Sequence, residues 1–237
     1  MKKSWDHVSF IIPALNEEKA IGNVVRGLRE RGIQNVIVCD NGSTDDTASE
    51  ARKAGAKVVY EAERGYGAAC LQAIASLSPS TQVIGFVDGD GSDDLDDLAR
   101  LLEPLLNDEA DFVIASRARG KAEAGALTPA QRFGNLIAST WLRIRFGQAT
   151  SDLGPFRAIT RQAYEALSMQ DRNYGWTVEM QIKAARKGCR YREFPTNYAC
   201  RIGQSKVSGT IRGTLGAGFK IIGLLLWYDF KSMTESK

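Results

Sequence analysis

Short apolar runs alternate with segments of helical period throughout the first half of the chain, and this alternation constrains the fold more than any other feature. The runs are Val8–Leu15, Val36–Cys39, Lys57–Tyr60, Val83–Val87 and Phe112–Ala115. Runs that stay apolar at successive positions suit strands buried on both faces. Between them, Glu17–Arg31, Thr44–Ala54, Tyr66–Leu77 and Asp94–Leu106 carry apolar residues three and four apart, as amphipathic helices do. Strand and helix in strict succession predict an α/β fold, a mostly parallel Rossmann-like sheet with helices on both faces. Ser43-Thr44-Asp45-Asp46 resembles a capping box and sets the second helix start at Thr44.

Beyond Arg117 the pattern loosens. Residues 120–128 are rich in Gly, Ala and charge and predict a mobile loop. Pro129 then opens a helix, Ala130–Phe146, proline being well suited to a first turn. Asp152–Ile159 reads as a strand, Gly175–Lys187 as a helix and Tyr191–Tyr198 as a further strand. With 237 residues and no internal repeat, one domain over 1–210 and a C-terminal tail over 211–237 account for the chain.

Composition excludes several chemistries. Lys+Arg 31 against Asp+Glu 28 is too balanced for an obligate nucleic-acid binder. The single histidine, His7, excludes a two-histidine zinc site. The four cysteines are scattered, as in reduced cytoplasmic proteins, and no run of about 20 apolar residues spans a membrane. Charge is nevertheless segregated: ten acids and one base lie between Asp88 and Asp111, and nine bases and one acid between Lys183 and Lys220. The first stretch suits a cation, the second an anion or an anionic surface.

The strand ending at Val87 delivers Asp88-Gly89-Asp90 to the carboxyl edge of the sheet, where open α/β sheets bind ligands. Two hard oxygen donors suit Mg²⁺ or Mn²⁺ bridging a diphosphate, while a solvated acidic turn is the alternative. Calcium is disfavoured, since Asp93 stands where the calcium loop needs Gly and Ala99 where it needs Glu. Asp40 ends another strand, placed either to accept from a base or ribose or to cap a helix. Gly65-Tyr66-Gly67 carries only two glycines of the dinucleotide fingerprint, and beside Arg64 it suits a phosphate better than NAD.

Taken in order, Ile12-Pro13-Ala14-Leu15-Asn16-Glu17, Cys39-Asp40-Asn41-Gly42-Ser43-Thr44-Asp45, Arg64-Gly65-Tyr66-Gly67 and Asp88-Gly89-Asp90 resemble the family 2 glycosyltransferases of GT-A fold. The branch most similar is that of the dolichyl-phosphate mannose synthases. The resemblance continues through Asp152-Leu153-Gly154-Pro155-Phe156-Arg157, Trp176-Thr177-Val178-Glu179 and the segment 201–209. It implies that Pro13, Leu15, Glu17, Asp40, Arg64, Gly65, Asp88 and Gly89 line a nucleotide-sugar pocket. Asp88 and Asp90 would hold Mg²⁺ or Mn²⁺ on the diphosphate. Arg117, Arg132, Asn135, Arg201 and Lys206 would bind the acceptor phosphate. Where the family often follows its acidic motif with Gln, this chain has Gly91-Ser92-Asp93.

The implied reaction is transfer of a single hexose, with inversion, to polyprenyl phosphate. A phosphate ester with a second pKa of about 6 is already nucleophilic at neutral pH. A hydroxyl acceptor would need a general base, for which Asp152 and Glu179 are the candidates, with Asp90 as the third catalytic acid. The tail combines Arg212 and Lys220 with an apolar run ending in Trp227 and Tyr228, suiting an interfacial helix of a peripheral membrane enzyme, a core-packing helix or a dimer contact. A hydroxyl acceptor and a nucleotide-sugar binder without catalysis are the competing functions.

Overall fold

The computed structural model describes residues 5–203 and Gly223. Lys206 and the tail over 211–237 thus lie outside the described residues, Gly223 aside. A seven-stranded sheet has the order β3-β2-β1-β4-β6-β5-β7. Its strands are β1 (Val8–Ala14), β2 (Asn35–Asp40), β3 (Lys57–Tyr60), β4 (Val83–Phe86), β5 (Phe112–Ser116), β6 (Arg157–Thr160) and β7 (Tyr191–Pro195). All neighbours pair in parallel except β6, which runs antiparallel between β4 and β5.

Successive residues of one strand face opposite sides of the sheet. Phe10 and Ile12 of β1, Val36 and Val38 of β2 and Val113 of β5 join one core with helices α1 (Ile21–Glu30), α2 (Thr47–Lys53) and α4 (Leu98–Leu106). Ile11, Ile37, Cys39, Ile84, Phe112 and Ile114 face the other core, against α3 (Tyr66–Ile74), α6 (Arg161–Leu167) and α7 (Trp176–Arg186). A third, smaller cluster joins α5 (Pro129–Phe146) to α7 through Ala138, Leu142, Val178 and Ile182. The expected helices on both faces are present.

Several boundaries differ from expectation: α4 begins at Leu98 rather than Asp94, α3 ends at Ile74 rather than Leu77, and β7 ends at Pro195 rather than Tyr198. Helix α2 begins at Thr47 rather than Thr44, and α1 at Ile21 rather than Glu17. The intervening side chains bind the two loops to each other: Ser43 Oγ accepts from the Asn16 amide at 2.9 Å, Asn16 Oδ1 accepts from the Thr44 amide at 2.8 Å, and Thr47 Oγ1 accepts from the Glu17 amide at 2.8 Å. Strand β6 begins at Arg157, not Asp152, because the preceding residues turn to bond Arg117 and Arg157. Helix α6 was not expected; Thr160 caps it by accepting from the Ala163 amide. The 120–128 loop, expected to be mobile, is tied down by Glu123 N to Tyr198 O at 2.9 Å and Tyr198 N to Lys121 O at 3.0 Å.

Candidate active site

The carboxyl ends of β1, β2 and β4 meet at a cavity of about 220 Å³. Pro13, Leu15 and Glu17 come from the end of β1, Asp88, Gly89 and Asp90 from the turn after β4, and Arg64 and Gly65 from the approach to α3. The opposite wall is Asn173 and Tyr174, from the loop that precedes α7. That wall explains the glycine pair. A Cβ on Gly65 would stand 2.0 Å from the Arg172 carbonyl oxygen, and one on Gly67 2.0 Å from that of Asp171. The Gly67 and Ala68 amides donate to the Asn173 and Arg172 carbonyls, and the Gly65 amide to Asn41 Oδ1. The Gly65, Gly67 and Ala68 amides at the start of α3 are therefore engaged by protein and not left for a phosphate. Arg64 is exposed at the rim and makes no ion pair among the described residues.

Asp88 and Asp90 are held differently. Asp88 Oδ1 accepts from the Tyr66 hydroxyl at 3.2 Å, and partial burial, then the charge of Asp90, push its carboxyl up to about 6. Arg117 and Arg201 act against that rise. Asp90 is buried; its Oδ1 accepts from the amide and hydroxyl of Ser92, and its Oδ2 faces Arg201 Nη2 at 3.0 Å. Asp93 Oδ2 accepts from the Asp88 amide, while its Oδ1 is buried without a hydrogen-bond partner among the described residues. Burial, then Asp88 and Asp90, raise the Asp93 carboxyl well above the ordinary range. This surplus of negative charge fits a divalent cation. No group of three or more His, Cys, Asp or Glu side chains able to hold a metal occurs among the described residues. Two carboxylates, with further oxygens from a diphosphate and water, are what Mg²⁺ or Mn²⁺ requires.

A second cavity, of about 780 Å³, opens between the 117–121 segment, α5 and residues 150–152. Arg117, Lys121, Arg132 and Arg143 line it, against one acid, Asp152. Arg117 grips Asp152 with Nε at 2.9 Å, Nη2 at 2.9 Å and its amide at 2.7 Å. Burial alone would raise the Asp152 carboxyl, but the charge and hydrogen bonds of Arg117 outweigh it and hold the group below the ordinary range. Arg117 lies over the Tyr198 ring at 5.0 Å and acts on the Asp88 and Asp93 carboxyls, so it joins the two cavities electrostatically. Asn135 fastens α5 to this wall, donating to Ser151 O at 2.6 Å and accepting from the Leu153 amide at 2.7 Å.

The sequence-predicted nucleotide residues thus gather at the first cavity, apart from Asp40, whose Oδ1 accepts from the Ser43 amide in a tight turn. Arg117, Arg132, Asn135 and Asp152 gather at the second. Arg201, expected with them, lines the first cavity instead. Glu179 lines neither; its buried carboxylate accepts from the Gln170 and Asp171 amides and pairs with Lys183 at 2.8 Å. Sequence reasoning did not single out Asn41, whose amide nitrogen donates to the Glu61 and Glu63 carbonyls and fixes the loop bearing Arg64. Tyr66, Asn173 and Tyr174 were also missed; Tyr66 alone had a signal, its place between two glycines.

The model of a family described as glycosyl transferase family 2 matches residues 9–168. An uncharacterised glycosyltransferase of Mycobacterium tuberculosis is 36% identical over 212 residues, spanning 89% of this chain and 94% of that protein. A dolichyl-phosphate hexose transferase of Haloferax volcanii is 30% identical over 206 residues, spanning 86% and 88%. Among solved structures, glucosyl-3-phosphoglycerate synthase of M. tuberculosis, in complex with Mn²⁺, UDP-glucose and phosphoglyceric acid, superposes with a TM-score of 0.72 over 92% of this chain and 78% of that one, at 23% identity.

Proposed function

The chain belongs to glycosyl transferase family 2, and on that premise we propose that it moves one hexose from a nucleotide diphosphate sugar to polyprenyl phosphate, with inversion at the anomeric carbon. The observation that carries this reading is the charge contrast between two cavities joined at Arg117. One presents paired acids beside Arg64 and Arg201, and the other four bases against a single acid already neutralised by Arg117.

The first cavity takes the donor. Pro13 and Leu15 bound the nucleoside, Arg64 and Arg201 face the diphosphate, and Asp88 and Asp90 would hold Mg²⁺ or Mn²⁺. A divalent ion there supplies Lewis-acid stabilisation of the departing diphosphate. Ser92 holds Asp90 in one orientation through two hydrogen bonds, and Tyr66 donates a single one to Asp88. The second cavity takes the acceptor phosphate on Arg117, Arg132 and Arg143. A phosphate oxygen attacks C1 in line; the new O–C1 bond forms as the C1–O bond to the diphosphate breaks, and the electron pair leaves with the nucleoside diphosphate. No proton moves, which matches the side chains present: both candidate bases are engaged, Asp152 by Arg117 and Glu179 by Lys183 and two amides.

Such an acceptor places the enzyme at a membrane surface; among the described residues no helix is long and apolar enough to cross one. The Haloferax relative is named for a dolichyl-phosphate acceptor, and the structural neighbour was solved with phosphoglyceric acid, so a small phosphorylated acid is the second reading of the same basic cavity. Incubation with labelled UDP- or GDP-hexoses separates them. An organic-extractable product that releases its sugar in mild acid supports polyprenyl phosphate. A water-soluble product formed from phosphoglycerate supports the second reading, and donor binding without any product leaves a binder.

A further inference from the structure

Helix α5 turns one face to α7 and another to solvent. Three of the seven exposed large hydrophobic side chains among the described residues lie on it: Phe133 at 65%, Leu136 at 61% and Ile144 at 75% exposure. At 3.6 residues per turn these three and exposed Thr140 fall within an arc of about 80°. The opposite side, through Ala138 and Leu142, is buried against α7. Arg132 and Arg143 border the apolar arc on the side where the helix lines the basic cavity, and Leu136 belongs to both. Over its 18 residues α5 holds three arginines and no acid.

We infer that this face of α5 seats on an anionic bilayer, with Phe133, Leu136 and Ile144 at the acyl boundary and the flanking arginines among headgroup phosphates. An apolar arc bordered by basic side chains is the pattern of helices that lie in the interface. Charge complementarity selects the bilayer over a second copy of the chain, because a symmetric pairing of α5 would set arginines against arginines with no acid between them. The mouth of the basic cavity then opens at headgroup depth, where a lipid phosphate presents itself. The functional sense of the docking rests on the acceptor reading above, to which it adds the partner of that same site.

The test uses the full chain, with Phe133→Ser and Ile144→Ser combined; neither side chain lines either cavity. Co-sedimentation with phosphatidylcholine vesicles, with and without phosphatidylglycerol, reads docking. Transfer to a short, water-soluble prenyl phosphate reads the acceptor site. The wild type is expected on the phosphatidylglycerol vesicles, and the variant should partition about tenfold less, with its circular dichroism and transfer to the soluble acceptor unchanged. Undiminished partitioning of the variant overturns the inference, as does a wild type that stays in solution. Conversion of a dimer to a monomer, with no vesicle binding by either protein, overturns it in favour of a contact between copies. Loss of vesicle binding in the variant alone, with no transfer by either protein, keeps the docking face and removes the acceptor reading. If the double variant loses its folded spectrum, Phe133→Gln alone is measured in the same way.

Discussion

A single nitrogen of Arg201, Nη2, lies 3.0 Å from Asp90 Oδ2 and 3.1 Å from Glu17 Oε1. One guanidinium thereby neutralises two of the carboxylates lining the first cavity, and it comes from the segment that follows β7. A cation held by Asp90, as proposed, would compete with this contact.

Arg201→Gln should therefore have opposite effects on two ligands. Mn²⁺ alone should bind several-fold more tightly, because Asp90 loses its resident counter-charge. The nucleotide diphosphate should bind about tenfold more weakly, the worth of one charged hydrogen bond. Calorimetry with each ligand separately reads both, and unchanged Mn²⁺ affinity would remove Arg201 from the competition.

The Arg117–Asp152 pair predicts a stability effect with a defined pH dependence. Asp152→Asn leaves a buried guanidinium without its counter-charge, at a cost of about 3 kcal/mol, or roughly 6–12 °C in Tm for a chain of this size. The Asp152 carboxyl is depressed in the folded state. Its contribution is complete above the unfolded value of about 3.9 and lost as pH falls through the lower folded value. The Tm gap between wild type and variant should hold from neutral pH down to about 5 and narrow only below about 4. A gap that closes near neutrality would contradict the pair as described.

Asp88 has the opposite sign, since its folded carboxyl is raised to about 6. The folded state then takes up the proton that the unfolded state releases, so stability falls as pH rises from about 4 to about 6. Asp88→Asn should be no more stable than wild type at pH 4 and more stable above pH 6, by about 1 kcal/mol or ~2–4 °C after allowance for solvent. Thermal melts in the presence of EDTA check it; a variant less stable at pH 8 would refute the surplus of charge.

The parts of this site legible in the sequence were those fixed by local chain order. Strands buried on both faces announce themselves as apolar runs, and Asp88 and Asp90 follow such a run directly. What was not legible depends on contacts between distant residues. An apolar run does not reveal its pairing direction, so the antiparallel β6 was not foreseen. The starts of α1 and α2 moved because Asn16, Ser43 and Thr47 bond across some thirty residues of chain. Glu179 carries an acid in a suggestive motif, yet its partners are the amides of Gln170 and Asp171, which no motif encodes.

The glycine pair before and within α3 makes a further prediction. Gly67→Ala places a Cβ against the Asp171 carbonyl oxygen, so the loop bearing Asn173 and Tyr174 must move outward. A loss of about 1–3 kcal/mol in stability is expected, as for other overpacked sites, together with weaker nucleotide binding. An unchanged melt would show that the loop yields without cost.

The proposed function requires Asp88 and Asp90 to hold a nucleotide diphosphate through a divalent cation. It is tested most directly by calorimetric titration of UDP and GDP, each with Mn²⁺ or with EDTA, into the wild type and Asp90→Ala. Tight binding of one nucleotide is expected in Mn²⁺ only, weakened about 100-fold in the variant, a loss of ~2.7 kcal/mol, with its fold intact. Equal affinity in EDTA, or an undiminished Asp90→Ala, would contradict it.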